Sequence, residues 1–333
     1  MKEIGNIFYK VLAYIMVVIL PVTSLFAMSF GGVDRIDVKQ QDVRFSVAAI
    51  SDTHIKDSFV RTLIFDAGMR DVSRSVRPDL LLVAGDCTDN GNEENWEAFK
   101  KSMDKTDVPN KLVTMGNHDT WTSYDTPHDY VPALENFIRY GGAIMQREIG
   151  GVNFVYDVCG YRFIVLGSDD TSTSATLSDG QLAWADEQLS AAAAEFAGKP
   201  IFVVLHQPMN FTHAVGDNEH GSGINGDASE KLMRIMDRYE NVFFFSGHQH
   251  YGLSGEKQPN LMIKGFETIE QVGENITSVN LPSYEYGSYV TGGEPHIGQG
   301  LMMYVFDDSV RFLGRNFALG AWITSFDVTV PLK

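Results

Sequence analysis

Apolar residues in this chain gather in short, dense runs, and five of these runs end on polar clusters of similar chemistry. Residues 44–50 (RFSVAAI), 80–84 (LLLVA), 112–115 (LVTM), 201–205 (IFVVL) and 242–245 (VFFF) read as strands with little polar surface to turn toward water, the pattern of strands covered on both faces. Helical periods lie between them. Val60, Leu63, Ile64, Ala67 and Val72 recur at three- and four-residue steps until Pro78 stops the element, and a polar helix is predicted over 94–103. Ser178 caps a helix whose expected inner face is Leu182, Ala185, Leu189, Ala192 and Phe196, and Leu232, Ile235, Met236 and Tyr239 mark another. Segments 152–158 and 161–166 flank Cys159-Gly160, a two-residue link that suits a hairpin. From Gly273 onward the pattern turns to strands, at 276–281, 301–306, 310–317 and 323–330. No internal repeat and no linker divides the chain.

The polar clusters follow the strands directly. They are Ser51-Asp52-Thr53-His54, Gly85-Asp86-Cys87-Thr88-Asp89, Gly116-Asn117-His118-Asp119, His206-Gln207-Pro208 and Gly247-His248-Gln249-His250. Singly, each has a plain structural reading: an Asx turn, a helix cap, or a hydrogen-bonded core histidine. In an open α/β sheet, however, strand C-termini share one edge, and ligands bind there. The five clusters therefore predict a single site assembled from five places.

Composition and charge narrow the classes of function. With 333 residues, 44% hydrophobic and 21% charged, the chain has an ordinary globular composition and ample length for a core. A formal charge of -17 argues against binding to a nucleic-acid duplex, which needs a basic surface, but leaves room for a small phosphorylated substrate beside bound cations. Lys2 and Lys10 precede an uncharged stretch from residue 11 to 30, closed in its apolar part by Pro21. This is the layout of an export signal or an uncleaved N-terminal anchor over residues 1–29, with residues 30–333 as one catalytic domain. The expected location is extracytoplasmic, with membrane contact only through residues 1–29 if they are retained. Cys87 and Cys159 both lie in strand-like contexts, which predicts two buried free thiols.

The series Asp52-x-His54, Gly85-Asp86-x-x-Asp89, Gly116-Asn117-His118-Asp119, His206 and Gly247-His248-x-His250 resembles the calcineurin-like metallophosphoesterase superfamily. The resemblance implies an α/β fold, a four-layer αββα sandwich of two mixed β-sheets flanked by helices. It implies two divalent transition-metal ions, drawn from Mn, Fe, Zn, Co and Ni, about 3.5–4 Å apart. By position, Asp52, His54 and His250 would hold one ion, and Asn117, His206 and His248 the other, with Asp86 shared. The implied reaction is hydrolysis of a small phosphomonoester or phosphodiester by a hydroxide that bridges the ions. His118 would serve the leaving group as proton donor, oriented by Asp119. Purple acid phosphatases place a tyrosine where Asp89 stands, so Asp89 is expected instead to hold His54 or a loop backbone.

Two further readings stay open on the same residues: a cyclic-nucleotide phosphodiesterase, and a metal-binding scaffold without turnover. The intact His118-Asp119 pair favours an enzyme, because a scaffold has no use for a proton donor. Near the site, His213 and His220 fall in a glycine-rich loop that reads as solvated, and Tyr284, Tyr286 and Tyr289 are candidates for stacking or for packing.

Overall fold

The computed structural model describes residues 38, 42–121, 129–216, 221–255, 266–285 and 297–333. Residues 1–29, and with them the expected export segment, lie outside this set, as do His220, Tyr286 and Tyr289. No helix among the described residues is long and apolar enough to cross a membrane.

Two six-stranded sheets form the centre. The first has the order β12-β11-β10-β1-β2-β3. In it β1 (Phe45–Ile50), β2 (Leu80–Val83) and β3 (Asn110–Val113) run parallel, and β10 (Gln299–Val305), β11 (Ser309–Asn316) and β12 (Ala321–Pro331) continue antiparallel. The second has the order β4-β5-β6-β7-β9-β8. Its parallel core is β5 (Tyr161–Val165), β6 (Ile201–Val204), β7 (Val242–Ser246) and β9 (Ile276–Asn280), with β4 (Phe154–Val158) and β8 (Ile269–Val272) antiparallel at the edges. The five site-bearing strands are thus divided between two sheets and do not share the edge of one. Parallel neighbours within each sheet keep the strand ends level, so both sheets deliver their polar clusters to one region.

Period-two alternation explains why the strands of the second sheet are apolar throughout. Phe202, Val204, Phe243 and Phe245 belong to the core between the sheets, while Ile201, Val203, Val242 and Phe244 belong to a second core beneath the helices. Between the sheets, aromatic rings interlock: Phe202 stacks on Phe163 at 4.6 Å, and Phe45 stacks on Tyr161 at 4.8 Å. Phe243 meets Phe312 of the opposite sheet at 6.0 Å.

Helices complete the layers. Helices α1 (Phe59–Asp71), α2 (Glu93–Met103) and α3 (Tyr130–Met145) join the core of the first sheet through Phe65, Trp96, Phe99 and Phe137. Helices α4 (Asp179–Glu195) and α5 (Ala228–Met236) cover the second sheet through Leu182, Leu189 and Leu232. The result is the expected αββα sandwich. Ser178 caps α4 with a full capping box to Gln181.

The structure departs from the sequence reading in four places. The buried face of α1 is Phe65, Met69 and the adjoining Val72, in place of Val60, Leu63 and Ala67, because the helix meets α2 and Tyr284 from that side. Helix α3 and strand β8 were not anticipated, although Ala133, Phe137, Tyr140 and Ile144 have helical spacing. Phe196 is the C-cap of α4 and only partly buried. Cys159 is exposed, since it and Gly160 form the left-handed corner of the β4–β5 hairpin (φ 53° and 78°), whereas Cys87 is buried as expected.

Phe202 touches aromatic rings in both sheets. Phe202→Ala should lower stability by about 3–5 kcal/mol in urea unfolding, the usual cost of emptying a large enclosed site. A loss below about 1 kcal/mol would show that the two sheets do not depend on this ring.

Candidate metal centre

The turns that follow the site-bearing strands are strained. Asp52, His54, Asp86, His248 and His250 have φ of 53°, 43°, 46°, 71° and 55°, in the left-handed region that non-glycine residues rarely adopt. Hydrogen bonds between turns hold them there. The amides of Asp52 and His54 donate to the carbonyls of Gly85 and Asp86 at 3.2 and 3.0 Å, and the amide of Gly247 donates to the carbonyl of His206 at 2.8 Å. The glycines that open three of the clusters are needed for close approach. A Cβ on Gly85 would strike the His206 ring, one on Gly116 the Asp86 carboxylate, and one on Gly247 Ser51 and Asp52.

The side chains converge on three overlapping groups, the third of which joins His54 to Asp89 and Glu285. Asp52, His54, Asp86 and His250 bring one donor atom each into the first, and Asp86, His206 and His248 into the second, so that Asp86 is common to both. Oδ2 of Asp86 lies 3.1 Å from Nε2 of His206 and 3.8 Å from Nε2 of His54. Nε2 of His250 lies 3.2 Å from Oδ1 of Asp52 and 3.0 Å from Nε2 of His54. Asn117 is buried, immediately after Gly116.

Hydrogen bonds on the far side of the rings settle which nitrogen faces inward. Nδ1 of His206 donates to the carbonyl of Ala84 at 2.8 Å, and Nε2 of His248 donates to the carbonyl of Gly221 at 3.0 Å. His206 therefore presents Nε2 to the centre and His248 presents Nδ1. Oδ2 of Asp86, Oδ1 of Asn117 and Nε2 of His206 are buried without a hydrogen-bond partner. Buried polar atoms of this kind call for a missing partner. These mixed oxygen and nitrogen donors fit a transition-metal ion.

Charge within the group is shared among carboxylates and imidazoles. Burial alone would lower His206, but Asp86 and Asp52 outweigh it and hold the ring at about 9. Burial would likewise raise Asp52, yet His250 and His206 keep it at about 2. Burial and the neighbouring His206 push His248 down to about 4.

The two remaining predicted residues take different places. His118 is half-buried at the rim, its ring edge-on to His54 at 4.5 Å and against Trp121 at 4.3 Å. Its backbone amide donates to Oδ1 of Asp86 at 2.9 Å, and its Nδ1 donates to the carbonyl oxygen of Asp89 at 2.9 Å. Asp119 does not orient that ring. Its carboxylate accepts from the amides of Cys87, Thr88 and Gly116 and from the Thr88 hydroxyl at 2.6–3.0 Å, which ties the β2 turn to the β3 turn. Burial and the charge of Asp86 raise Asp119 to about 6 despite these donors.

Asp89 grips Lys56 at 3.0 Å and Arg61 at 2.6 Å, and Arg61 in turn donates to the His54 carbonyl. Arg61 and its other partner, Glu285, were not foreseen. Arg61 sits on a partly buried face of α1, and Glu285 reaches this depth because Ser51 and Ser283 form a parallel bridge, a contact across more than two hundred residues. His213 is no solvated loop residue: it is buried between the carbonyl of Glu267 and the hydroxyl of Ser278. Tyr284 packs edge-on against Phe65, with its hydroxyl on the carbonyl of Ile64.

A model of calcineurin-like phosphoesterases matches residues 45–252, more than half of the chain and the whole span from Asp52 to His250. The chain belongs to the calcineurin-like phosphoesterase family. It is 25% identical over 217 residues to a probable glycerophosphodiester phosphodiesterase GpdQ of Arcobacter nitrofigilis, a match that covers 61% of this chain and 71% of the relative. It is 26% identical over 214 residues to the glycerophosphodiester phosphodiesterase GpdQ of Enterobacter lignolyticus, covering 61% and 70%. Among solved structures, GAP50, the anchor in the inner membrane complex of Plasmodium, shares the fold with a TM-score of 0.50 at 14% identity, over 87% of this chain and 89% of that one. As a member of the calcineurin-like phosphoesterase family, the chain is a metal-dependent hydrolase of phosphoric esters.

The glycine contacts make this phosphoesterase sensitive to a single methyl group. Gly85→Ala combines a left-handed backbone (φ 84°), costing an alanine roughly 1–2 kcal/mol, with a clash on His206. The purified variant should melt earlier than wild type and retain less metal by elemental analysis. Unchanged metal content would show that the His206 ring is not confined by this turn.

Proposed function

We propose that the chain is a dinuclear phosphodiesterase that cleaves small phosphodiesters outside the cytoplasm. The observation that carries the dinuclear reading is the position of Asp86, a buried carboxylate common to two ligand groups, whose Oδ2 has no hydrogen-bond partner. Asp52, His54 and His250 would hold one ion, Asn117, His206 and His248 the other, and Asp86 would contact both. When bound, two such ions supply Lewis-acid polarisation of the phosphoryl oxygens and an activated water near neutral pH. Metal identity within the Mn, Fe, Co, Ni and Zn group is left to the donor set, which suits them all. The names of the two GpdQ relatives support a diester over a monoester.

The chain's own residues have distinct tasks in this scheme. The amide of His118 holds Oδ1 of Asp86, which turns Oδ2 toward the centre. A carbonyl oxygen only accepts, so the hydrogen on Nδ1 of His118 is committed to Asp89, and Nε2 is the nitrogen that takes up and gives away a proton. In this scheme His118 would protonate the departing alkoxide. Trp121, fixed by its indole hydrogen bond to the carbonyl of Thr171 at 3.0 Å, limits the swing of that ring.

One experiment tests both parts. Active wild-type protein should carry about two transition ions per chain and lose turnover to a strong chelator. His118→Ala should keep both ions and lose roughly 10²–10⁴-fold in rate on diesters with alkoxide leaving groups, with a much smaller loss on nitrophenyl diesters. Full activity without metal refutes the reading, and loss of metal in His118→Ala would make His118 a ligand.

Export is supported by Lys2, Lys10 and the uncharged stretch that follows them, in residues outside those described. Cell fractionation with N-terminal sequencing should recover the protein outside the cytoplasm, either shortened near residue 29 or membrane-bound. A soluble cytosolic protein still beginning at Met1 would refute export and favour an intracellular diester such as a cyclic nucleotide.

A further inference from the structure

His54 enters the centre from a left-handed backbone, and its carbonyl oxygen accepts a hydrogen bond from Nη1 of Arg61 at 2.8 Å. The same Nη1 donates to Oδ1 of Asp89 at 2.6 Å, while Nε pairs with Oε1 of Glu285. Glu285 is tied to the same turn by its own backbone, since its amide donates to the carbonyl of Asp52 at 3.2 Å. Three distant stretches of chain, the turn after β1, the turn after β2 and the segment after β9, therefore meet at one guanidinium.

We propose that Arg61 is a positioning residue for His54: clamped by Asp89 and Glu285, its guanidinium holds the His54 carbonyl and so aims the His54 ring at the metal centre. The inference rests on the reading of that centre as dinuclear.

Three features favour positioning over a simple structural ion pair. The guanidinium is shared between two buried carboxylates and a backbone carbonyl, and that carbonyl belongs to a strained residue at the centre. Oε2 of Glu285 is buried without a hydrogen-bond partner, so the network is not arranged for stability alone. A lysine could supply the positive charge but not the planar fork that spans both carboxylates and the carbonyl. Without the fork, the His54 turn is free to relax toward ordinary backbone angles and carry its ring away.

The test uses the full chain, stripped of metal and titrated with Mn²⁺ by calorimetry and electron paramagnetic resonance, with melting of the metal-free protein as the control. Wild type should bind two ions. Arg61→Lys should weaken one binding step by about 10–100-fold, the usual effect of losing a group that orients a ligand. The other step should stay within about twofold by the same measure. Guanidinium ion added to Arg61→Ala should restore the weakened step. Glu285→Gln, which removes a charge at constant volume, should weaken the same step and serves as the test if the arginine variants do not fold. If wild type binds two ions and a folded variant binds both equally well, the clamp is refuted and the dinuclear reading stands. If wild type binds no ions, the dinuclear reading falls and the clamp with it.

Discussion

Taking a carboxylate fully out of water costs several kcal/mol unless cations or donors replace the solvent, and Asp86 is the carboxylate on which this centre turns. One of its oxygens accepts the amide of His118, and the other faces the imidazoles of His206 and His54 with no hydrogen-bond partner. In the absence of metal the compensating charge comes from protons, which is why His206 is held at about 9 against its own burial. A metal ion would take over the role of that proton.

Placing Asp86 there requires two sheets. Strands β1 and β2 bring Asp52, His54 and Asp86 from one side, and β6 and β7 bring His206, His248 and His250 from the other. The interlocked rings of Phe45, Phe163, Phe202, Phe243 and Phe312 set the distance between the sheets, and so the distance between the two halves of the centre. At the strand ends the chain must turn at once, with side chains directed inward and little room for backbone. Left-handed angles at five polar residues and glycines beneath three of the clusters are the local consequences. The strain is offset by the cores on both sides and by hydrogen bonds between turns, including the four donors gathered by Asp119.

The likeness to the GpdQ relatives, at 25% and 26% identity, coexists with a full set of ligand blocks. Few positions in this architecture carry its chemistry, and the rest need only be apolar on the correct face. Fold likeness extends further still, to GAP50 at 14% identity, where it speaks only for the sandwich.

The amino-acid sequence by itself determined most of the strands and helices, the order of the polar clusters and the residue types that gather at the centre. These follow from local rules: dense apolar runs, three- and four-residue periods, and glycine before three of the sharp turns. Other features depended on packing between distant segments. Only the tertiary structure decided that the five strands belong to two sheets, that α1 buries Phe65 and Met69, and that Cys159 lies on a corner. Only it showed that Asp119 serves backbone amides while the carbonyl of Asp89 takes His118. Glu285 is the clearest case. Nothing near it in sequence marks it, and it reaches the centre because Ser283 pairs with Ser51, a contact set by the closure of the whole sandwich and by no local propensity.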